Sequence, residues 1–253
     1  MVGLKKLVVV LHVDDYSPEI MALTQPSVKK WATKIGAEYK VITERKFPNM
    51  PPNYEKFQLY ELAKDYDWTI FFDADALIPE DFFDPTEYTN KDVVIFNDTD
   101  MYGHRFKAND YSRRYGGNNG ACTWFVICSN WTRDCWKPIE LQDDITLDEA
   151  TSQIFPIQLE RNFGIDAKHL VDDYMVSRNI AKYGLKVKTL INDFYPALKC
   201  PPLLNHIFLD SKENKIKFLK EKIAESENNK GSYYASKEIN EFNNVNKKEQ
   251  KSL

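Results

Sequence analysis

Eleven residues, WTIFFDADALI, Trp68 to Ile78, decide how this chain is read. A run of apolar and aromatic residues of the kind used by buried strands is followed at once by two carboxylates, Asp73 and Asp75, with only Ala74 between them. Asp is disfavoured inside strands, and burying an ionised carboxylate is costly unless something pairs with it. Two of them at a strand end call for a cation. In extended backbone, residues i and i+2 project to the same side, so Asp73 and Asp75 can converge on one ion. Oxygen-only ligation suits Mg²⁺ or Mn²⁺, which keep their remaining positions for water and substrate phosphates, so a diphosphate is the natural third party. The plainer alternative is that one Asp caps a turn and the other is solvated.

Working outward, KKLVVVLHV is a β-branched run suited to a sheet buried on both faces. SPEIMALTQPSVKKWATKIGAEY then carries apolar residues at helical spacing, with an interruption predicted at Pro26. YKVITER reads as a second strand, KFPNMPPN as a proline-rich loop, and YEKFQLYELAKDY as an amphipathic helix leading into the strand that ends at Asp73. Downstream, KDVVIFND and GACTWFVIC are further strands, VDDYMVSRNIAKYG is a helix ending near Gly184, and LKVKTL is a short last strand. The alternation predicts an α/β fold with parallel strands. In such sheets ligands collect beyond the carboxyl ends of the strands, where His12 to Tyr16 and Asp73 to Asp75 both fall.

With 253 residues, 43% of them hydrophobic, the chain can build a sizeable core. A net charge of −4 without a basic stripe argues against nucleic acid as a partner, and no run approaches the roughly 20 apolar residues of a membrane span. The N-terminal apolar run passes into DDYSPE rather than a cleavage site, so it reads as a strand and the expected location is cytoplasmic. Cys122, Cys128, Cys135 and Cys200 lack C-x-x-C spacing and read as buried thiols. From about Glu225 the chain becomes polar and repetitive, which predicts a folded domain over 1–225 and a mobile tail over 226–253.

YEKFQLYELAKDYDWTIFFDADALI resembles the donor-site region of glycosyltransferases with the GT-A fold, especially the glycogenin-like and bacterial lipopolysaccharide hexosyltransferases of family 8. The resemblance extends more loosely over roughly the first 215 residues. It implies a Rossmann-like, nucleotide-sugar-binding α/β fold with a mostly parallel central sheet. It also implies transfer of a hexose from a UDP-sugar to a hydroxyl of a glycan, lipid-linked or protein acceptor, with Mn²⁺ or Mg²⁺ on Asp73 and Asp75.

The resemblance assigns further residues. Lys56 matches a lysine that holds the donor. HVDDYSPE sits where relatives hold the nucleoside, making His12, Asp14 and Tyr16 candidates, Tyr16 as a stacking surface for uracil. GGNNGACTWFVI resembles the segment lining the donor sugar, with Asn118, Asn119 and Gly120 in its places. Asp172 and Asp173 fall where an acid approaches the anomeric carbon, and being consecutive at a helix start they are expected to point in different directions, so that one reaches the site. His206 is the implied third metal ligand and Lys212 the implied diphosphate lysine, although the glycine and Pro-Trp that accompany that lysine are absent.

Each assignment has a plainer counterpart: Tyr16 packing on a helix, Asn118 to Gly120 forming a turn, Asp172 or Asp173 capping a helix, His206 serving structure. A second acidic pair, Asp98 and Asp100, also follows an apolar strand, but no lysine helix precedes it. MYGHRFKANDYSRRYGG after it reads as an acceptor-binding flap, or as a surface excursion in which His104, Arg105, Arg113 and Arg114 are solvated. TIFFDADALI also resembles the first motif of HAD-type phosphohydrolases, with Leu77 where that motif carries Thr or Val. A sugar-nucleotide-binding protein without turnover is the third reading.

Overall fold

A computed structural model describes residues 3–98, 110–116, 121–156, 161–162, 164–198, 203 and 211–228. Six strands form one sheet: β1 (Lys6–Leu11), β2 (Glu38–Ile42), β3 (Trp68–Phe72), β4 (Val93–Phe96), β5 (Phe125–Ser129) and β6 (Lys186–Thr189). Their order across the sheet is β2-β1-β3-β5-β4-β6. The pairings β1 with β2, β1 with β3 and β4 with β6 are parallel, as expected. β5 departs from that expectation by running antiparallel to both β3 and β4. Its apolar run is buried on both faces like its neighbours, so hydrophobic pattern alone carries no sign of its direction.

Alternation along the strands sends side chains to two apolar layers. Val8, Val10, Ile70 and Phe72 face α1 (Pro18–Lys34), whose Met21, Val28 and Trp31 cover them. Val9, Leu11, Phe71 and Val126 face Tyr54, Phe57, Trp136 and Tyr174 on the other side. Each large side chain buried in this way contributes about 1.5–3 kcal/mol. That gain explains why α1 runs on through Pro26: its buried residues lie on both sides of the proline, and packing outweighs one missing backbone hydrogen bond.

The stretch expected as one amphipathic helix is instead a 3₁₀ segment over Pro52–Gln58, one α turn α2 (Leu59–Leu62) and another 3₁₀ turn over Ala63–Asp65. Glu55 is fully buried there and accepts from the amides of Lys46 and Phe47 at 2.8 Å each, from Arg45 Nε at 2.9 Å and from Gln58 Nε2 at 2.7 Å. This anchor draws the preceding loop onto the helix start. Further helices are α3 (Asp110–Tyr115), α4 (Leu147–Ser152), α5 (Val171–Tyr183) and α6 (Lys212–Asn228), with a single α turn over Tyr195–Leu198 between the last two. Gly184 ends α5 in the left-handed conformation, φ 62°. α6 runs three residues past the boundary that composition suggests at 225. No described helix is long and apolar enough to cross a membrane. Cys122, Cys128 and Cys135 are buried thiols, and Cys200 lies outside the described residues.

Candidate functional site

β1 has β2 on one side and β3 on the other, so the chain reverses its direction of travel across the sheet at β1 and β3, and a crevice opens at their carboxyl ends. A cavity of about 300 Å³ lies there, lined by Leu11, Val13 and Tyr16 after β1 and by Asp73, Ala74 and Asp75 after β3. Lys56, Thr123, Asp172 and Asp173 line it from other elements. The Asp73 amide donates to the Trp124 carbonyl at 2.8 Å and the Ala76 amide to the Asp73 carbonyl at 3.1 Å. The two carboxylates therefore sit on a turn rather than on extended backbone, and both still face the cavity.

Lys56 is the hub. Its ammonium, 6% exposed, lies 2.9 Å from Asp73 Oδ1 and 2.9 Å from Asp172 Oδ2, and donates to Thr123 Oγ1 at 3.1 Å. An ammonium has three protons, and these three partners match them. Burial alone would lower the Lys56 pKa, but Asp172, Asp73 and Asp173 reverse that and hold it well above the usual lysine range. Within the chain, Lys56 thus ties two acids together.

Asp172 accepts on both oxygens, from Lys56 and Thr123 Oγ1 on Oδ2, and from Asn53 Nδ2 at 2.8 Å on Oδ1. Burial would raise its pKa, yet the Lys56 charge and hydrogen bond hold the carboxyl below its ordinary value. Asp173 Oδ1 takes the Thr123 amide at 2.9 Å and lies 2.8 Å from Thr123 Oγ1, whose single proton it shares with Asp172 Oδ2. Both acids therefore converge on Thr123, contrary to the expectation that only one reaches the site. The reason is local: Asp172 and Asp173 lie in the first turn of α5, where the helix dipole favours them, and Thr123 stands against that turn. The N-cap is Leu170, without a side-chain cap, so neither acid serves as one.

Asp75 is 4% exposed and pairs with Lys215 of α6, Nζ to Oδ2 2.8 Å. Asp73 keeps 24% of its side chain exposed. Burial nevertheless pushes its carboxyl up to about 7, Lys56 opposing and Asp75 adding to the rise. Tyr16, 49% exposed, stands at the mouth of the cavity. Burial of its hydroxyl, with Asp75 and Asp73 nearby, raises its pKa above the tyrosine range. The loop that presents it holds three non-glycine residues at positive φ, Asp14 at 53°, Asp15 at 51° and Ser17 at 38°. Such backbone is strained, and here Asp14 is tied to Arg45, which is itself held by Glu55.

Other candidates fall elsewhere. His12 does not line the cavity; Leu11 and Val13 on either side of it do, so alternation turns His12 away. Lys212 meets Glu19 at the surface, 3.4 Å, and Lys215, one helical turn further on, is the lysine that reaches the acidic pair. Asp14 reaches Arg45 rather than the cavity lining. Asn118, Asn119, Gly120, His206 and Asp100 lie outside the described residues, as do His104 and Arg105. Arg113 and Arg114 are exposed. Thr123, Asn53, His169 and Lys215 were not singled out from the sequence. Thr123 directly follows the quoted Asn-Asn-Gly-Ala-Cys stretch, which was a usable signal; Lys215 sits in a lysine-rich helix that gave none.

No protein-family model matches the sequence, and no curated protein is significantly similar to it. Among solved structures the chain is similar to a glycosyltransferase involved in the glycosylation of the major capsid of PBCV-1, with TM-score 0.50 and 10% identity, covering 86% of this chain and 99% of that one. It is also matched with the galactosyltransferase LgtC in complex with donor and acceptor sugar analogs, TM-score 0.46 and 14% identity, covering 73% of each chain. At such identities the likeness is one of fold alone: the mixed α/β architecture with a mostly parallel six-stranded sheet is shared with the first of these glycosyltransferases.

Proposed function

We propose that the protein is a metal-dependent glycosyltransferase that moves a hexose from a UDP-sugar to a hydroxyl acceptor. The observation that carries this reading is the meeting of two acidic pairs, Asp73 with Asp75 and Asp172 with Asp173, in one cavity at the carboxyl ends of β1 and β3. With Asp73 deprotonated, four carboxylates against the two ammoniums of Lys56 and Lys215 leave an excess of two negative charges, which suits one divalent cation.

Asp73 and Asp75 fit such an ion. Both offer oxygen donors to the same cavity, and Asp75 already attracts a positive charge from outside it, the Lys215 ammonium. When bound, the ion would neutralise charge developing on the departing diphosphate. His206 is the proposed third ligand.

The chain's own residues supply the remainder. Tyr16 presents an aromatic face at the cavity mouth for the base, and Leu11, Val13 and Leu170 exclude water from the walls. Lys56 fixes the spacing between the acids of the phosphate end and those of the sugar end. Asp173, held through Thr123, takes the acceptor's proton on a carboxylate oxygen if the reaction inverts, or steadies positive charge on the sugar if it retains. Asn118 to Gly120 would complete the sugar's surroundings. A polar C-terminal tail, dispensable for this chemistry, and a cytoplasmic location complete the proposal.

The test is a panel of nucleotide sugars with Mn²⁺ and no acceptor, scored for binding and for slow hydrolysis. Release of UDP from one donor supports the proposal. Release of inorganic phosphate favours the phosphohydrolase, and binding without turnover, even when acceptors are added, favours a non-catalytic binder.

A further inference from the structure

The acidic turn is gripped from outside the cavity by α6. Leu219, with Ile216 and Ile223 beside it, packs on Ile20 and Leu23 of α1 and on Leu77, two residues after Asp75. Lys215 stands four residues before Leu219 and so lies on the same face of the helix. From there its ammonium reaches Asp75 Oδ2 at 2.8 Å, with 14% of the lysine side chain and 5% of the aspartate exposed. One short apolar patch and one ion pair thus join a C-terminal helix to the turn that carries the acidic pair.

Lys56 and Lys215 differ in how they are held. The Lys56 ammonium is spread over three partners inside the cavity, whereas among the described residues that of Lys215 pairs with Asp75. Lys56 can therefore keep two partners while Asp73 turns to an ion. Among the described residues Lys215 has no such reserve, and an ammonium and a divalent cation drawn to one buried carboxylate repel each other.

We propose that Lys215 and a divalent cation compete for Asp75, so that seating of α6 and loading of the cation oppose one another. This rests on the reading of Asp73 and Asp75 as a cation site. Lys215 is then a built-in counter-ion that sets the cation affinity, and α6 loosens from the acidic turn as the cation arrives.

Two measurements on the full chain test it. The first is Mn²⁺ affinity by electron paramagnetic resonance, without nucleotide, for the wild type and for Lys215→Met, which keeps the apolar stem and removes the charge. Competition predicts binding about tenfold tighter in Lys215→Met, within the usual range of coupling between two sites. Lys215→Arg should stay close to the wild type, and Asp75→Asn should lose the ion. The second is amide exchange of 212–228 in the wild type, which should quicken on adding Mn²⁺, and which remains informative should Lys215→Met fail to fold. Equal or weaker Mn²⁺ binding in Lys215→Met, or exchange of α6 unchanged or slowed by saturating Mn²⁺, overturns the competition while the cation site stands. If neither form binds Mn²⁺, with or without UDP, the cation site itself falls and the competition falls with it.

Discussion

Asp73 and Asp172 each place one carboxylate oxygen 2.9 Å from the same ammonium, that of Lys56, although one acid follows a strand of the sheet and the other opens a helix. The lysine spans the strand side and the helix side of the cavity, and its loss leaves two buried or half-buried charges without their shared partner.

Lys56→Met should therefore destabilise the fold by about 3–5 kcal/mol, the usual consequence of removing one side of a buried ion pair. Thermal or urea denaturation measures it. A melting temperature within a degree of the wild type would show that the lysine is not a structural tie.

The two acids of α5 should separate by experiment. Asp172 is engaged on both oxygens, so Asp172→Asn places an amide against Lys56 or Asn53 and should cost about 1–3 kcal/mol of stability. Asp173→Asn keeps an oxygen for the Thr123 amide and should melt near the wild type, while turnover falls on the order of 100-fold or more. Unimpaired turnover in Asp173→Asn would remove it from the chemistry.

The Asp172 carboxyl is held below its ordinary pKa and the Lys56 ammonium above its own, so the sign of the pH dependence follows. A depressed acid contributes stability that is present above its unfolded pKa, about 3.9, and is lost as pH falls through the lower folded value. A raised lysine contributes below about 10.4 and loses that contribution as pH climbs through its higher folded value. Wild-type stability should thus decline below about pH 4 more steeply than that of Asp172→Asn in chemical denaturation. Parallel acid limbs for the two proteins would contradict this.

Much of the fold could be read in the sequence because β1, β3, β4 and α5 bury complete faces, and burial writes itself as composition and period. The direction of β5 could not be read, since a strand buried on both sides looks alike either way. In the site, Asp73, Asp75, Asp172 and Asp173 stood out because charge next to apolar runs is rare. Thr123 and Asn53 did not, since a hydroxyl or amide in a loop is commonplace and gains meaning only from what stands opposite. Lys215 was hidden among the many lysines of 212–222, of which the helical face, not the residue type, selects one.

Removing residues 229–253 should leave melting temperature and UDP binding unchanged, because the apolar side chains of α6 that pack on α1, ending with Ile223, precede that cut. Cutting at Ile216 instead removes Leu219 and Ile223 and should lower the melting temperature by several degrees. A large loss from the first truncation would place structural contacts in the tail.

The antiparallel course of β5 bears on how such a chain can diversify. Phe96 of β4 stands opposite Val126 of β5, so the segment between these strands leaves the sheet and returns to it at one edge, next to the cavity. Topologically it is a hairpin whose connection has been lengthened, and a connection of that kind can gain or lose residues without shifting either strand. Its last stretch delivers Thr123 to the acids, and α3 within it is fastened to the core by the buried Tyr111. Under the proposed function, new acceptors are recruited by insertion and deletion between those two anchors, with the acids of the cavity left in place.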